Sequence, residues 1–339
     1  MDAIVWHGGH DFRLENAAEP EPGPKQVLVR IEVTAICGSD LHLPEFGAPP
    51  PIVPGHEACG TVAAVGPGVS RIREGERVAL NPVQICGRCY CCTSGIEHLC
   101  LNTRHFGSRE TAGTWAELVA VDEGNAHRIP ENVSFTQAAL TEPTAVCYQS
   151  FRRAGLSAGD TVLVIGDGPF GFLHTQIAVA LGAARVVCAG HYDQRLRRIH
   201  ESTGAVVVNT RTQDIEAVLS AEVGSPGVDI AVEATGSGAA PSIGIKALRP
   251  RGTLVVFSYV WEPQPLDMGS IHMQELNVLG SCRSQGAFDV CLSLMADGTV
   301  DTEALVDMAV PMRDYASALQ RLRADKAGTF KAVLLPKAT

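Results

Sequence analysis

Cys86, Cys89, Cys92 and Cys100 fall in the run Cys-Gly-Arg-Cys-Tyr-Cys-Cys-Thr-Ser-Gly-Ile-Glu-His-Leu-Cys, a spacing that closes a four-thiolate zinc site. Two-residue gaps turn successive thiolates onto one ion, and the longer gap before Cys100 brings the fourth across. Four thiolates at about 2.3 Å make a closed, structural centre. Cys91 breaks the regularity and reads as a spectator, or as a competitor of Cys92 for the fourth place. The 11 cysteines are an odd number and the chain opens without a secretory apolar core. Zinc in a reducing, cytoplasmic compartment is therefore expected rather than disulfides.

A second donor set is more open. Cys37-Gly38-Ser39-Asp40-Leu41-His42 and Gly55-His56-Glu57 offer thiolate, imidazole and carboxylate from two loops, and Glu142, in Thr-Glu-Pro-Thr, adds another acid. A catalytic zinc takes three protein ligands and keeps one position free. Cys37 and His56 with either Glu57 or Glu142 meet that count. Each residue also has an ordinary reading: a buried filler for Cys37, a core histidine for His56, a helix-initiating acid for Glu142. Spacing alone does not choose.

Gly166-Asp167-Gly168-Pro169-Phe170-Gly171 is a G-x-G-x-x-G between an expected strand and an expected helix. The first glycine permits the tight turn, the second lets backbone approach a pyrophosphate, and the third lets helix and strand pack closely. The helix N-terminus then offers N–H groups to the phosphates. NAD-binding turns of this kind place an acid about 20 residues on, at the end of the second strand. That strand ends Cys188-Ala189-Gly190-His191-Tyr192, with Gly190 at the acid's place and Asp193 the first carboxylate beyond. His191, Arg195 or Arg197 would instead suit a 2′-phosphate. NADP is favoured slightly; in the alternative, Asp193 or a backbone group takes the ribose of NAD.

The elements that must position these groups change character near residue 148. Before it, alternation in Val27 to Val33, an apolar run at Gly60 to Val65 and turns at Pro49-Pro50-Pro51, Gly66-Pro67-Gly68 and Glu74-Gly75 predict a mostly β fold. After it, apolar runs at 161–165, 185–189, 205–209, 228–232 and 253–257 alternate with helical patterns at 170–181, 193–203, 212–223 and 239–248. Such alternation implies a parallel sheet covered on both faces. From about 285 shorter elements return, with a helix at 314–323 and a closing strand at 331–335 that rejoin the first domain. The division is thus 1–147 with 285–339, containing the zinc lobe at 86–100, and an inserted 148–284.

With 339 residues, 45% hydrophobic and 19% charged, the chain reads as an ordinary globular protein. The most apolar stretch, 161–190, is interrupted by Gly166, Asp167, Gly168, Pro169 and His174, so no membrane span is expected. A net charge of −10 argues against a nucleic-acid partner for the four-cysteine lobe.

These motifs, in this order and over essentially the full length, resemble the zinc-dependent medium-chain dehydrogenases of the alcohol dehydrogenase superfamily. Glu142-Pro143 places the resemblance in the sorbitol and threonine dehydrogenase branch. It implies an α/β architecture: a GroES-like, mostly β catalytic domain, a doubly wound Rossmann domain, and an active site between them. It further implies that Cys37 and His56 hold a catalytic zinc, with Glu57 and Glu142 sharing the third place. Asp40 would orient His56, and Ser39 would pass the alcohol proton towards His42. Phe257, Ser258 and Cys282 would line the nicotinamide. The implied reaction exchanges a hydride between a secondary alcohol and NAD(P), with two zinc ions per chain. Relatives form dimers or tetramers, so a homo-oligomer is expected.

Substrate choice lies in loops without a readable code. Trp115, His105, Phe106 and the Arg109-Glu110 turn are plausible cleft residues, each with a packing or surface alternative. The acidic balance makes a cationic polyol, an amino sugar or aminocyclitol, an expected substrate beside neutral polyols and sugars. Remaining alternatives are a threonine-type amino-alcohol dehydrogenase, a zinc-binding scaffold of the same fold without activity, and a zinc-dependent nucleic-acid module.

Overall fold

The computed structural model describes residues 1–337 except Phe46, Arg109, Glu110 and Trp261, so the Arg109-Glu110 turn lies outside the described residues. The chain divides into two compact units: Met1–Ala145 with Gln285–Gly298 and Thr302–Thr339, and Val146–Ser284 with Thr299–Asp301. The helix Thr141–Ala154 crosses that division.

The first unit is built on a seven-stranded sheet. Its order runs Val306–Pro311, Lys331–Leu335, Gln26–Ala35, Glu57–Val65, Arg77–Leu80, Ala126–Arg128, with Leu118–Asp122 also paired to Gln26–Ala35. Alternation makes the long strand: Val27, Val29, Ile31 and Val33 are buried while Arg30 is exposed. Val27, Val29 and Ile31 join Val62, Val78, Leu80 and Phe106 in one core. A second core collects Ile4, Trp6, Trp115, Leu319 and Leu334. The C-terminal strand Lys331–Leu335 sits inside this sheet, antiparallel to Gln26–Ala35 with Val333 opposite Ala35.

The second unit carries six parallel strands in the order Val206–Asn209, Arg185–Gly190, Thr161–Ile165, Val228–Glu233, Leu248–Val256, Asn277–Gly280. In sequence order this is 3-2-1-4-5-6, the doubly wound arrangement. The inner strands are continuous apolar runs because helices cover both faces; Val162, Leu163 and Val164 are fully buried. Two expectations are corrected. The helix expected at 212–223 covers only Ile215–Glu222, because Asp214 caps it by accepting from Glu216 N. The sixth strand, Asn277–Gly280, was not expected, since it is a largely exposed edge strand without an apolar run. Among the described residues no helix is long and apolar enough to cross a membrane.

Candidate metal centres and dinucleotide pocket

Strand pairing gathers the first donor set. Ala35 pairs with Glu57 across two antiparallel strands, so Cys37, just past one strand, meets His56, just before the other. The ligand atoms of Cys37, His56 and Glu57 all lie within 4.8 Å of one another. Thiolate, imidazole and carboxylate at these separations fit a catalytic zinc. A short 3₁₀ turn, Gly38–Leu41, follows Cys37 and carries Ser39 and Asp40.

Asp40 ties the two loops together. One carboxylate oxygen accepts from Cys37 N at 2.9 Å; the other accepts from Gly55 N at 3.3 Å and lies 3.3 Å from His56 Nδ1. Nδ1 is thereby engaged and Nε2 is left for a metal. Burial opposes a proton on His56, but the Asp40 carboxylate and Cys37 outweigh it and hold the pKa well above the usual imidazole range.

Glu57 has a partner that sequence reasoning passed over. It is fully buried, and Lys331 Nζ donates to both its oxygens, at 2.5 and 2.6 Å. Lys331 is itself only 2% exposed and also reaches the Ile36 carbonyl at 3.4 Å. The one visible signal was a lone lysine opening the apolar strand Lys-Ala-Val-Leu-Leu. Burial lowers the Lys331 pKa, but Glu57 and Cys37 reverse this, and it stands above the ordinary lysine value. Glu142, in the first turn of Thr141–Ala154, is outside the three-atom cluster. Burial pushes its carboxyl up to about 7, with His56 opposing that rise and Glu57 adding to it.

The remaining expected residues divide. His42 is exposed and its Nδ1 lies 3.3 Å from Glu45. Among the described residues Ser39 reaches it only through backbone, His42 N donating to Ser39 O at 3.0 Å. Trp115 and Phe106 are core residues: Trp115 is fully buried against Phe12, with ring centres 5.8 Å apart, and Phe106 is 2% exposed. Their large apolar surfaces go to packing. His105 does face the donor set, its ring 5.4 Å from that of His56.

The four-thiolate lobe also assembles. The Sγ atoms of Cys86, Cys89, Cys92 and Cys100 lie within 4.8 Å of one another, with Cys89 3.5 Å from Cys92 and 3.8 Å from Cys100. A tetrahedron with bonds of about 2.3 Å has edges of about 3.8 Å, so the lobe fits zinc. Amides prepare it for negative charge: Cys86 N and Asn102 N point at Cys100 Sγ at 3.3 and 3.4 Å. Backbone at Arg88 and the Asn102 side chain lower Cys86 to about 5. Cys91 is buried and outside the four.

In the second unit the glycine turn joins the first strand to the helix Pro169–Ala180, with Gly168 at the cap and Pro169 first in the helix. Gly166 has φ +134°, and a Cβ there would lie 2.6 Å from the Ala234 carbonyl. A Cβ at Gly171 would overlap the Gly166 carbonyl, so the helix could not approach the strand. The turn, with Gly190, His191 and Arg195, lines a cavity of about 390 Å³. At the ends of neighbouring strands Phe257 packs edge-on against Phe170 at 4.9 Å and His174 at 4.6 Å. Ser258 N donates to the buried Glu233 at 3.2 Å, and Cys282 is exposed.

Comparison with known proteins agrees with this construction. Residues 23–131 match the alcohol dehydrogenase GroES-like domain, and 169–297 match the zinc-binding dehydrogenase family. A sorbitol dehydrogenase of Halalkalibacterium halodurans is 31% identical over 345 residues, covering 99% of each chain. A solved structure of a candidate zinc-binding dehydrogenase from Sinorhizobium meliloti, bound to NADP, is 30% identical with a TM-score of 0.92 over 99% of both chains. An Escherichia coli protein described as a short chain alcohol dehydrogenase, complexed with NADH, is 28% identical with a TM-score of 0.93, again over 99% of both. The two-unit fold, both donor sets and the glycine turn converge with these likenesses on one conclusion: this chain belongs to the zinc-dependent medium-chain alcohol dehydrogenase superfamily, in its sorbitol dehydrogenase-like branch, and is an NAD(P)-dependent alcohol oxidoreductase.

Proposed function

We propose that the chain interconverts a secondary alcohol of a polyol, sugar, amino sugar or aminocyclitol with its ketone, using NADP and two zinc ions per chain. The observation that carries this reading is the convergence of Cys37, His56 and Glu57 on one point, with His56 held by Asp40. Zinc at that point supplies a Lewis acid that lowers the pKa of a substrate hydroxyl, and the nicotinamide supplies the hydride acceptor. Cys37 and His56 hold the ion, with the third protein place taken by Glu57 or Glu142. Ser39 takes the hydroxyl proton and passes it towards exposed His42 and solvent. Cys86, Cys89, Cys92 and Cys100 hold the second, structural ion.

Gly166, Gly168, Pro169, Phe170 and Gly171 receive the pyrophosphate, and Phe257, Ser258 and Cys282 border the nicotinamide. The absence of an acid at Gly190, with His191 and Arg195 at the same cavity, supports NADP. The sorbitol dehydrogenase relative supports a polyol substrate. Net charge −10 supports a cationic one, by steering. A second copy of this chain, giving a dimer or tetramer, is supported by the exposed edge strand Asn277–Gly280 and by exposed Met268 and Met273 on the preceding helix.

Turnover with NAD⁺ or NADP⁺ across neutral polyols and amino sugars, with zinc quantified, tests the reading. Two zincs and NADP⁺-dependent oxidation are expected. Cys37→Ala should retain one zinc and lose turnover. Equal rates on neutral and cationic members would remove the amino-sugar assignment.

A further inference from the structure

The strand-end position at Gly190 is not vacant. Asp167, the second residue of the glycine turn, stands in the volume a side chain at 190 would need. A Cβ built on Gly190 would overlap the Asp167 Cβ and lie 2.5 Å from both Cγ and Oδ2. Asp167 is 7% exposed, and Oδ2 accepts from the amides of His191 at 2.6 Å and Tyr192 at 2.7 Å. Its other oxygen lies 3.9 Å from Arg195 Nη1. Two guanidinium groups lie over the Tyr192 ring, Arg195 at 5.4 Å and Arg211 at 5.0 Å from its centre.

A ribose-reading acid works by projecting a free carboxylate from the second strand's end at the 2′- and 3′-hydroxyls. Here the acid comes from the turn instead. One of its oxygens is committed to backbone N–H groups, where charge-assisted bonds are strong. We infer that Asp167 sets the cofactor choice: it bars a carboxylate from position 190, pins the His191–Tyr192 backbone, and leaves Arg195 and Arg211 as the charges that meet a 2′-phosphate. Arginine suits that task because its planar fork matches phosphate oxygens. The inference rests on the NADP reading above. It also changes the expectation for Gly190: an acid introduced there alone has no room.

The test is calorimetric titration of the zinc-loaded protein with 2′,5′-ADP and 5′-AMP, which differ only in the 2′-phosphate, with thermal unfolding of each variant alongside. The wild type should bind 2′,5′-ADP at least about tenfold more tightly. Gly190→Asp alone should weaken both ligands and keep their order. Asp167→Ala combined with Gly190→Asp should reverse it. Asp167→Asn retains the shape and an amide acceptor but loses the charge beside the phosphate, so its preference for 2′,5′-ADP should rise severalfold. A wild type that prefers 5′-AMP ends the NADP reading itself, and this inference with it. If the wild type prefers 2′,5′-ADP, three results overturn the role of Asp167 alone: Gly190→Asp reversing the order by itself, a folded double variant that does not reverse it, or an Asp167→Asn preference at or below wild type. Should the double variant fail to fold, the Asp167→Asn result decides.

Discussion

Glu57 and Lys331 form a buried ion pair beside a zinc donor set, and pairs of this kind are costly to break from one side. Lys331→Met would leave the Glu57 carboxylate buried without a countercharge, at a cost of about 3–5 kcal/mol. Denaturant unfolding of the metal-free variant measures it, and added zinc should recover part of the loss by neutralising Glu57; no change in midpoint would show the pair to be inert. His56 supplies a second expectation. Its raised pKa means that zinc must displace a proton, so affinity at this site should fall as pH falls. A zinc affinity that does not change with pH would contradict it. Cys37, Asp40 and His56 were legible through the family resemblance, because spacing alone left each with an ordinary reading. Lys331 was not, because its meaning comes from a contact with Glu57 across 274 residues.

At the scale of elements, the helix Pro169–Ala180 is fastened to its neighbours by a buried polar chain. His174 Nδ1 donates to the Phe170 carbonyl at 2.7 Å, Nε2 lies 3.1 Å from Ser150 Oγ, and Ser150 Oγ lies 3.3 Å from Ser281 Oγ. Burial lowers the His174 pKa from 6.5 to about 4, so the ring is neutral in the folded state. Between those values the unfolded chain binds the extra proton, so stability should fall as pH drops from about 6.5 to 4, by on the order of 3 kcal/mol. His174→Gln should flatten that dependence in a pH series of urea midpoints; an unchanged slope would assign it elsewhere. On the proposed reading, the four-thiolate lobe is an element made by its metal. Its helix Tyr90–Thr93 has only four residues, so Cys89→Ala should lower soluble yield and melting temperature. An unchanged melting temperature would show the lobe to be dispensable. Inner strands such as Thr161–Ile165 were readable because both faces are buried and the run is unbroken. The edge strand Asn277–Gly280 left no apolar mark, and its identity comes from pairing with Leu248–Val256.

At the scale of the whole molecule, two donor sets of different construction imply, on the proposed two-zinc reading, two stages of metal loss. The three-donor site should yield first to a chelator, with turnover lost and far-ultraviolet dichroism kept. The four-thiolate site should follow with lower thermal stability. Simultaneous loss of activity and fold would argue against separate roles. The order of motifs made the two-unit architecture legible, since a glycine turn after a strand and a cysteine lobe within a β-rich half each belong to a definite place. The end of the second strand was only half legible, because Gly190 reads as an empty position until Asp167 is seen to fill it. Lys331 belongs to the final strand of a sheet whose other partner at this site begins at Gln26. During synthesis Cys37, His56 and Glu57 therefore emerge long before the cation that balances them. Until that strand threads into place, a nascent chain carries the Glu57 carboxylate without its counterweight, so the donor set settles only once residue 331 has been made.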